Sequence, residues 1–228
     1  MNDYTYPAIA KMIDHSLLHP ALSLTELERG CGLARDYDVA TVCILPYCVR
    51  RAAALLAGSA VKPTTTIGFP HGGHATATKL AEAEQALRDG AAELDMVVNI
   101  SQVLSGDWDY VRRDIAAVVR AGHSREAKVK VIFENCYLNQ EQKIALCRIC
   151  GDLGADWVKT STGYGSGGAT LEDVQLMRAH SPKHVQVKAA GGIRDLDTLL
   201  AYRALGVTRI GASRTAEMLD ECRRRVGG

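Results

Sequence analysis

The chain repeats one pattern from end to end: a short β-rich run, then a longer stretch of helical period, then a glycine-bearing turn into the next run. The runs that read as strands are 12–18 (MIDHSLL), 41–46 (TVCILP), 63–70 (PTTTIGFP), 93–99 (ELDMVVN), 128–134 (KVKVIFE), 157–161 (WVKTS), 185–190 (VQVKAA) and 209–213 (RIGAS). Helical stretches follow each, at 23–37, 47–57, 75–89, 108–121, 139–153, 170–179, 195–205 and 214–225, with room for a short helix before the first strand. Alternation of this kind builds a parallel sheet covered by helices. Eight such units in 228 residues predict an α/β protein, a single (β/α)8 TIM barrel domain spanning 1–228. An open, doubly wound sheet is the other arrangement of the same units, and the absence of a GxGxxG after the first strand argues against it.

Local signals agree with that division. Ser23 or Thr25 is placed to cap the first long helix, with Glu26 and Glu28 in its first turn. Thr170 and Asp173 have the spacing of a capping box. The segments RDGAAELD, RAGHSREAKVKV, GDLGADWVK and RALGVTRIG each put a glycine where a helix is expected to end and the next strand to begin.

Bulk properties exclude several classes of function. A net charge of +1, with 23% charged residues, leaves no broad basic surface for nucleic acid or an anionic membrane. No apolar run reaches the roughly 20 residues of a membrane span, and the N-terminus lacks the basic-then-apolar pattern of a signal peptide. The seven cysteines are odd in number and irregular in spacing, which predicts reduced thiols and a cytoplasmic setting. Cys147 and Cys150 form a CxxC with no second pair to complete a zinc site, so they read as one face of a helix.

Two strands end in lysine. Lys159 closes ADWVK and Lys188 closes HVQVK, and a glycine-bearing loop follows each. A barrel gathers the C-terminal ends of its strands on one face, where barrel enzymes do their chemistry. The polar residues near those ends are Asp14, His15 and Ser16, then Cys43, Asp95, Asn99, Glu134, Asn135, Lys159, Thr160, Ser161, Lys188 and Ser213. Barrel interiors favour Val, Ile and Leu, so two lysines and an aspartate near one level need a reason. Strands six and seven are neighbours, which brings Lys159 and Lys188 together. Two semi-buried ammonium groups disfavour each other's charge, and a lysine that starts near about 10.4 needs a shift of a few units to hold free amine at neutral pH. A free amine forms a Schiff base with a carbonyl, and the protonated imine is the electron sink that C–C bond cleavage requires. Asp95 supplies a carboxylate to hold Lys188 charged or to relay protons. Glycine-bearing loops after the last three strands, with Gly163, Gly191, Gly192, Gly211 and Ser213, predict a phosphate site.

MIDHSLL, VCILP, GFPHG, ELDMVVN, WVKTSTG, VKAAGGIR and RIGAS occur in this order. Together they closely resemble the deoxyribose-phosphate aldolase family of class I, Schiff-base aldolases, from about residue 12 to 214. The resemblance implies a (β/α)8 barrel that reversibly cleaves 2-deoxy-D-ribose 5-phosphate to acetaldehyde and D-glyceraldehyde 3-phosphate. It makes Lys159 the Schiff-base lysine, Lys188 the second lysine that perturbs it, and Asp95 the proton-relay carboxylate. It places Asp14 and Ser16 near the substrate hydroxyls, Cys43 in the pocket wall, and the glycines with Ser213 at the phosphate. Thr160 is carried as a further substrate contact. No cofactor and no metal is implied; His71 and His74 in GFPHGGH read as loop residues. The expected partners are the sugar phosphate and acetaldehyde, with no nucleic acid and no membrane, in a homo-oligomer, a dimer foremost. Ser16 stands where the family often has threonine, and Arg214 where a small residue is common. Arg214 therefore either adds a cation near the phosphate or points outward. Two other readings stay open: a class I barrel aldolase for a different phosphorylated sugar, and a non-catalytic barrel that senses one.

Overall fold

The computed structural model describes residues 4–227; the expected domain limits, 1 and 228, lie outside them. Eight parallel strands close into a barrel in sequence order. They are β1 Ile13–Leu17, β2 Thr41–Ile44, β3 Lys62–Ile67, β4 Glu93–Val97, β5 Lys128–Ile132, β6 Trp157–Lys159, β7 Gln186–Ala190 and β8 Arg209–Ala212. The helices are α1 Tyr6–Ala10, α2 Leu24–Asp36, α3 Val49–Leu56, α4 Thr76–Arg88, α5 Ile100–Ser105, α6 Trp108–His123, α7 Gln140–Leu153, α8 Leu171–His180, α9 Leu196–Ala204 and α10 Thr215–Val226.

Several strands stop short of the sequence runs because the chain must turn into the loops that carry polar groups. Gly68 and Glu134 adopt positive φ, 65° and 57°, just past β3 and β5. Asn99, expected at the end of β4, instead caps α5 by accepting from Gln102 N at 3.2 Å. That helix is an element the periodicity did not predict; it has only six residues and ends at Gly106 with φ 72°.

The caps divide in the same way. Ser23 and Glu26 make a reciprocal capping box on α2. Thr170 accepts from Asp173 N at 3.1 Å, but the Asp173 carboxylate turns away to Lys143 Nζ at 2.6 Å, so α8 has a cap hydroxyl without the reciprocal bond. Gly122 does not end a helix. It lies inside α6, where a Cβ would stand 2.5 Å from Val129 Cγ2, so it lets α6 approach β5 closely. The left-handed turn comes four residues later, at Glu126 with φ 58°.

Residues paired across parallel strands share a side, and neighbours along a strand take opposite sides. The register therefore sorts the barrel. Ile13, Val42, Leu94, Met96, Val129, Val131, Val158, Val187 and Ile210 face the helices and are fully buried, and they form the main core with α2, α3, α6, α7 and α8. The other face carries Asp14, Cys43, Glu93, Asp95, Lys130, Trp157, Lys159, Lys188 and Arg209. Among the described residues no helix is long and apolar enough to cross a membrane.

Candidate active site

The pairing Ile132↔Lys159↔Lys188 sets two lysines side by side, Lys159 at the end of β6 and Lys188 in the middle of β7, two residues before the strand end at which the sequence placed it. Both reach the same atom. Lys159 Nζ donates to Asp95 Oδ2 at 2.8 Å, and Lys188 Nζ donates to it at 2.7 Å. Lys188 also donates to Asp14 Oδ2. Lys159 is 3% exposed and Lys188 1%, so both interactions act with little water to screen them.

A second tier lies beneath. Lys130 Nζ donates to Asp95 Oδ1 at 2.7 Å and pairs with Glu93. Arg209 Nη1 donates to Asp14 Oδ1 at 2.6 Å and to Glu93 Oε2 at 3.0 Å, while Nη2 reaches Glu93 Oε1 at 3.2 Å. The Trp157 ring lies beside both cations, 5.7 Å from Lys130 Nζ and 4.9 Å from the Arg209 guanidinium carbon. Lys130, Glu93 and Arg209 were not among the candidates drawn from sequence. Period-2 alternation in KVKVIFE, ELDMVVN and RIGAS carried the signal, since each shares its inward side with a predicted site residue.

Four cations thus face three carboxylates, and the group with the fewest carboxylate contacts is Lys159. Burial and the neighbouring Lys188 charge push its ammonium down against the pull of Asp95. Burial also acts on Lys188, but Asp14 and Asp95 together outweigh it and hold Lys188 charged, with its pKa raised. Burial opposes ionisation of Asp95, yet Lys130, Lys159 and Lys188 keep it well below the usual carboxylate range. Asp14 is likewise held down by Lys188, Lys130 and Arg209 despite its burial. The two lysines are therefore unequal: one is poised toward free amine, the other toward ammonium.

A cavity of about 590 Å³ opens above this cluster. Asp14, Ser16, Cys43, Lys159 and Lys188 line it, together with Gly163, Gly191, Gly192, Gly211 and Ser213. Burial pushes the Cys43 thiol up to about 11, so it enters the pocket wall uncharged. Gly163, Gly191 and Gly192 have φ of 88°, 86° and 82°, backbone that favours glycine. Gly211 is tightly packed for a different reason: a Cβ there would come 3.0 Å from Ala190 Cβ and 3.4 Å from Lys188 Cε. The start of α10 beside Ser213 has no side-chain cap, which leaves its first amides available to an anion.

Other sequence candidates go elsewhere. Thr160 does not line the cavity. Its hydroxyl accepts from Ala190 N at 3.1 Å and donates to Ala190 O at 3.2 Å, tying β6 to β7, because it follows the inward Lys159 and takes the opposite side. That loop lines the cavity with Thr162, held by Glu134 through its amide at 3.1 Å and through its hydroxyl, and with Tyr164, whose hydroxyl donates to Leu18 O at 2.8 Å. The His15 ring turns outward, with Nδ1 2.8 Å from Thr215 Oγ1 at the start of α10, although the residue still borders the cavity. Arg214 is exposed and outside the cavity lining, whereas Arg194 lines it. Cys147 and Cys150 are buried on α7.

Comparison with known proteins gives concordant matches. The family model described as DeoC/LacD family aldolase matches residues 8–212. A deoxyribose-phosphate aldolase of Rhodopirellula baltica is 64% identical over 227 residues, covering 100% of this chain and 94% of its own. One from Caldanaerobacter subterraneus subsp. tengcongensis is 48% identical and covers 93% of each chain. The tetrameric deoxyribose phosphate aldolase of Aeropyrum pernix superposes with a TM-score of 0.87 at 30% identity, covering 94% of this chain and 91% of that one.

Proposed function

The chain belongs to the DeoC/LacD aldolase family, and on that premise we propose that it cleaves 2-deoxy-D-ribose 5-phosphate reversibly to acetaldehyde and D-glyceraldehyde 3-phosphate through an imine on Lys159. The observation that carries the reading is that both lysines reach Asp95 Oδ2 while only Lys188 has a second carboxylate partner, Asp14.

Lys159 enters as free amine and its Nζ adds to C1 of the open-chain sugar. Loss of water from the carbinolamine gives the protonated imine. Removal of the C3 hydroxyl proton then breaks the C2–C3 bond. Its electron pair moves into the iminium to leave an enamine, and C3 departs as the aldehyde carbon of glyceraldehyde 3-phosphate. Cleavage of C3–C4 would leave no enamine, which sets the position of the break. Protonation of the enamine at C2 and hydrolysis release acetaldehyde and restore Lys159. Asp95 Oδ2, within hydrogen-bond reach of both lysine nitrogens, is placed to pass protons between them. Lys188 remains the charged partner that disfavours a charge on Lys159.

Ser16 and Asp14 face the sugar hydroxyls. Cys43 forms wall. Gly163, Gly191, Gly192, Gly211 and Ser213 receive the phosphate, and Arg194 stands in the same lining. We read the working form as a cytoplasmic homo-oligomer, most simply a dimer; sedimentation distinguishes this from a tetramer of the kind described for the A. pernix protein.

Borohydride reduction in the presence of acetaldehyde, followed by peptide mass spectrometry, tests the chemistry. A two-carbon adduct on Lys159, absent from Lys159→Leu, is the expected result. An adduct on Lys188 reverses the two roles. No adduct and no cleavage by folded protein overturns the reading in favour of another donor or of a binding protein.

A further inference from the structure

Three charged groups buried on the inner face of the barrel have no part in the steps above: Lys130, Glu93 and Arg209. Their arrangement is regular. Each site carboxylate is shared between an upper lysine and the lower tier, and Lys130 also lies 3.7 Å from Asp14 Oδ2. Asp95 offers Oδ2 to Lys159 and Lys188 and Oδ1 to Lys130. Asp14 offers Oδ2 to Lys188 and Oδ1 to Arg209. Glu93 closes the lower tier by pairing with both Lys130 and Arg209. The strand register enforces this tier, because Glu93 lies two residues before Asp95 on β4 and Arg209 pairs with Lys188 across β7 and β8.

We propose that Lys130, Glu93 and Arg209 act as positioning residues that decide which lysine becomes the nucleophile. Lys130 and Arg209 hold the far oxygens of Asp95 and Asp14, so Lys159 meets a single carboxylate oxygen that it shares with Lys188. The lower cations fix the plane of each carboxylate and draw on its charge. Glu93 limits that draw, since its own charge offsets theirs. Without this tier Asp95 would be free to turn both oxygens toward the lysines and to hold Lys159 as ammonium. The inference rests on the Lys159 reading above.

The groups facing Lys159 come from every side of the barrel. Asp95 from β4, Lys188 from β7 and Cys43 from β2 act on Lys159 directly; Asp14 from β1, Glu93 from β4, Lys130 from β5 and Arg209 from β8 complete the charged cluster around Asp95 and Lys188; β3 presents Thr64 and Thr66. Removing a cation and removing an anion from the lower tier must therefore shift Lys159 in opposite directions, whereas general loosening of the barrel gives no such sign.

The test is the pH dependence of Lys159 modification by acetaldehyde with cyanoborohydride, read by peptide mass spectrometry. Acetaldehyde has no titrating group, so the acid limb reports the protein. In Lys130→Met the midpoint is expected to rise by about one pH unit, slowing modification at pH 7 up to about tenfold. In Glu93→Gln it is expected to fall by a similar amount. Arg209→Lys, which keeps the charge, is expected to leave it within a few tenths of a unit. Unmoved midpoints, or two shifts of the same sign in variants that melt cooperatively, overturn the proposal. If Lys130→Met does not fold, Arg209→Met takes its place with the same expected sign. An absence of Lys159 adduct in the wild type would instead remove the premise, a result distinct from an adduct whose pH limb does not respond.

Discussion

The two faces of the barrel sheet follow different rules. Facing the helices, β4 presents Leu94 and Met96, β5 Val129 and Val131, and β7 Val187 and Ala189, all without measurable exposure. Facing inward, the same strands present Glu93 and Asp95, Lys130, and Lys188. Residues one position apart thus serve opposite ends. The outer face removes apolar surface from water, worth about 25 cal/mol per Å², and supplies the cohesion. The inner face takes seven charges out of water, where desolvation commonly offsets the attraction between them. The barrel interior is organised around its charges, and the apolar core lies in the layer between sheet and helices.

The sharpest way to separate the faces is Lys159→Leu. Cleavage should fall by roughly 10⁴-fold or more, the scale of losing a nucleophile. The melting temperature should hold or rise, because deleting the most weakly held cation balances the remaining charges. A large loss of stability would mean that the inner face also carries the fold.

An ion pair in the outer layer probes the contrast from the other side. Lys79 Nζ, fully buried, donates to Asp114 Oδ2 at 2.6 Å and to Val97 O at 2.8 Å. Lys79→Met strands a buried carboxylate and should cost about 3–5 kcal/mol in denaturant unfolding. The double variant Lys79→Met/Asp114→Leu should recover most of that. If activity per folded molecule drops in the double variant, this pair serves the site as well as the fold.

Leu94→Ala opens a cavity in the outer layer and should cost roughly 3 kcal/mol, with kcat for the folded fraction nearly unchanged. The smallest effect concerns His15, the outward neighbour of Asp14. Burial pushes its ring down to about 4 from 6.5, so the folded protein holds it neutral against Thr215. Below pH 6.5 the unfolded chain takes up a proton that the folded chain refuses until about pH 4. Stability should therefore fall as the pH drops across that window, by about 2–3 kcal/mol in all. The inner carboxylates, depressed rather than raised, lose their contribution only at lower pH. In His15→Leu the decline between pH 6.5 and 4 should disappear; its persistence would assign that window to other groups.

The site was legible in the sequence to the extent that it depended on strand ends. Lys159, Lys188 and Asp95 each sit in a β-rich run where a charge is out of place, and the parallel order of β6 and β7 brings the lysines together. What escaped were charged residues deeper in the barrel. Lys130, in the middle of β5, and Arg209, at the start of β8, look like ordinary surface charges until the register turns them inward. Thr160 and Thr162 are equally plausible hydroxyls by composition, and only the alternation after Lys159 separates the one tied to Ala190 from the one at the cavity.

The sequence by itself determined the eight-fold alternation, the polarity of each strand end and the types of group available for chemistry, because these follow from local periodicity and from residues that are costly to bury. Which oxygen of Asp95 meets which lysine, and hence which lysine is poised to lose its proton, was decided only by the closed barrel. That choice depends on Glu93, Lys130 and Arg209 arriving from three different strands, and Coulomb interactions in a dry interior are set by distances that no stretch of chain contains.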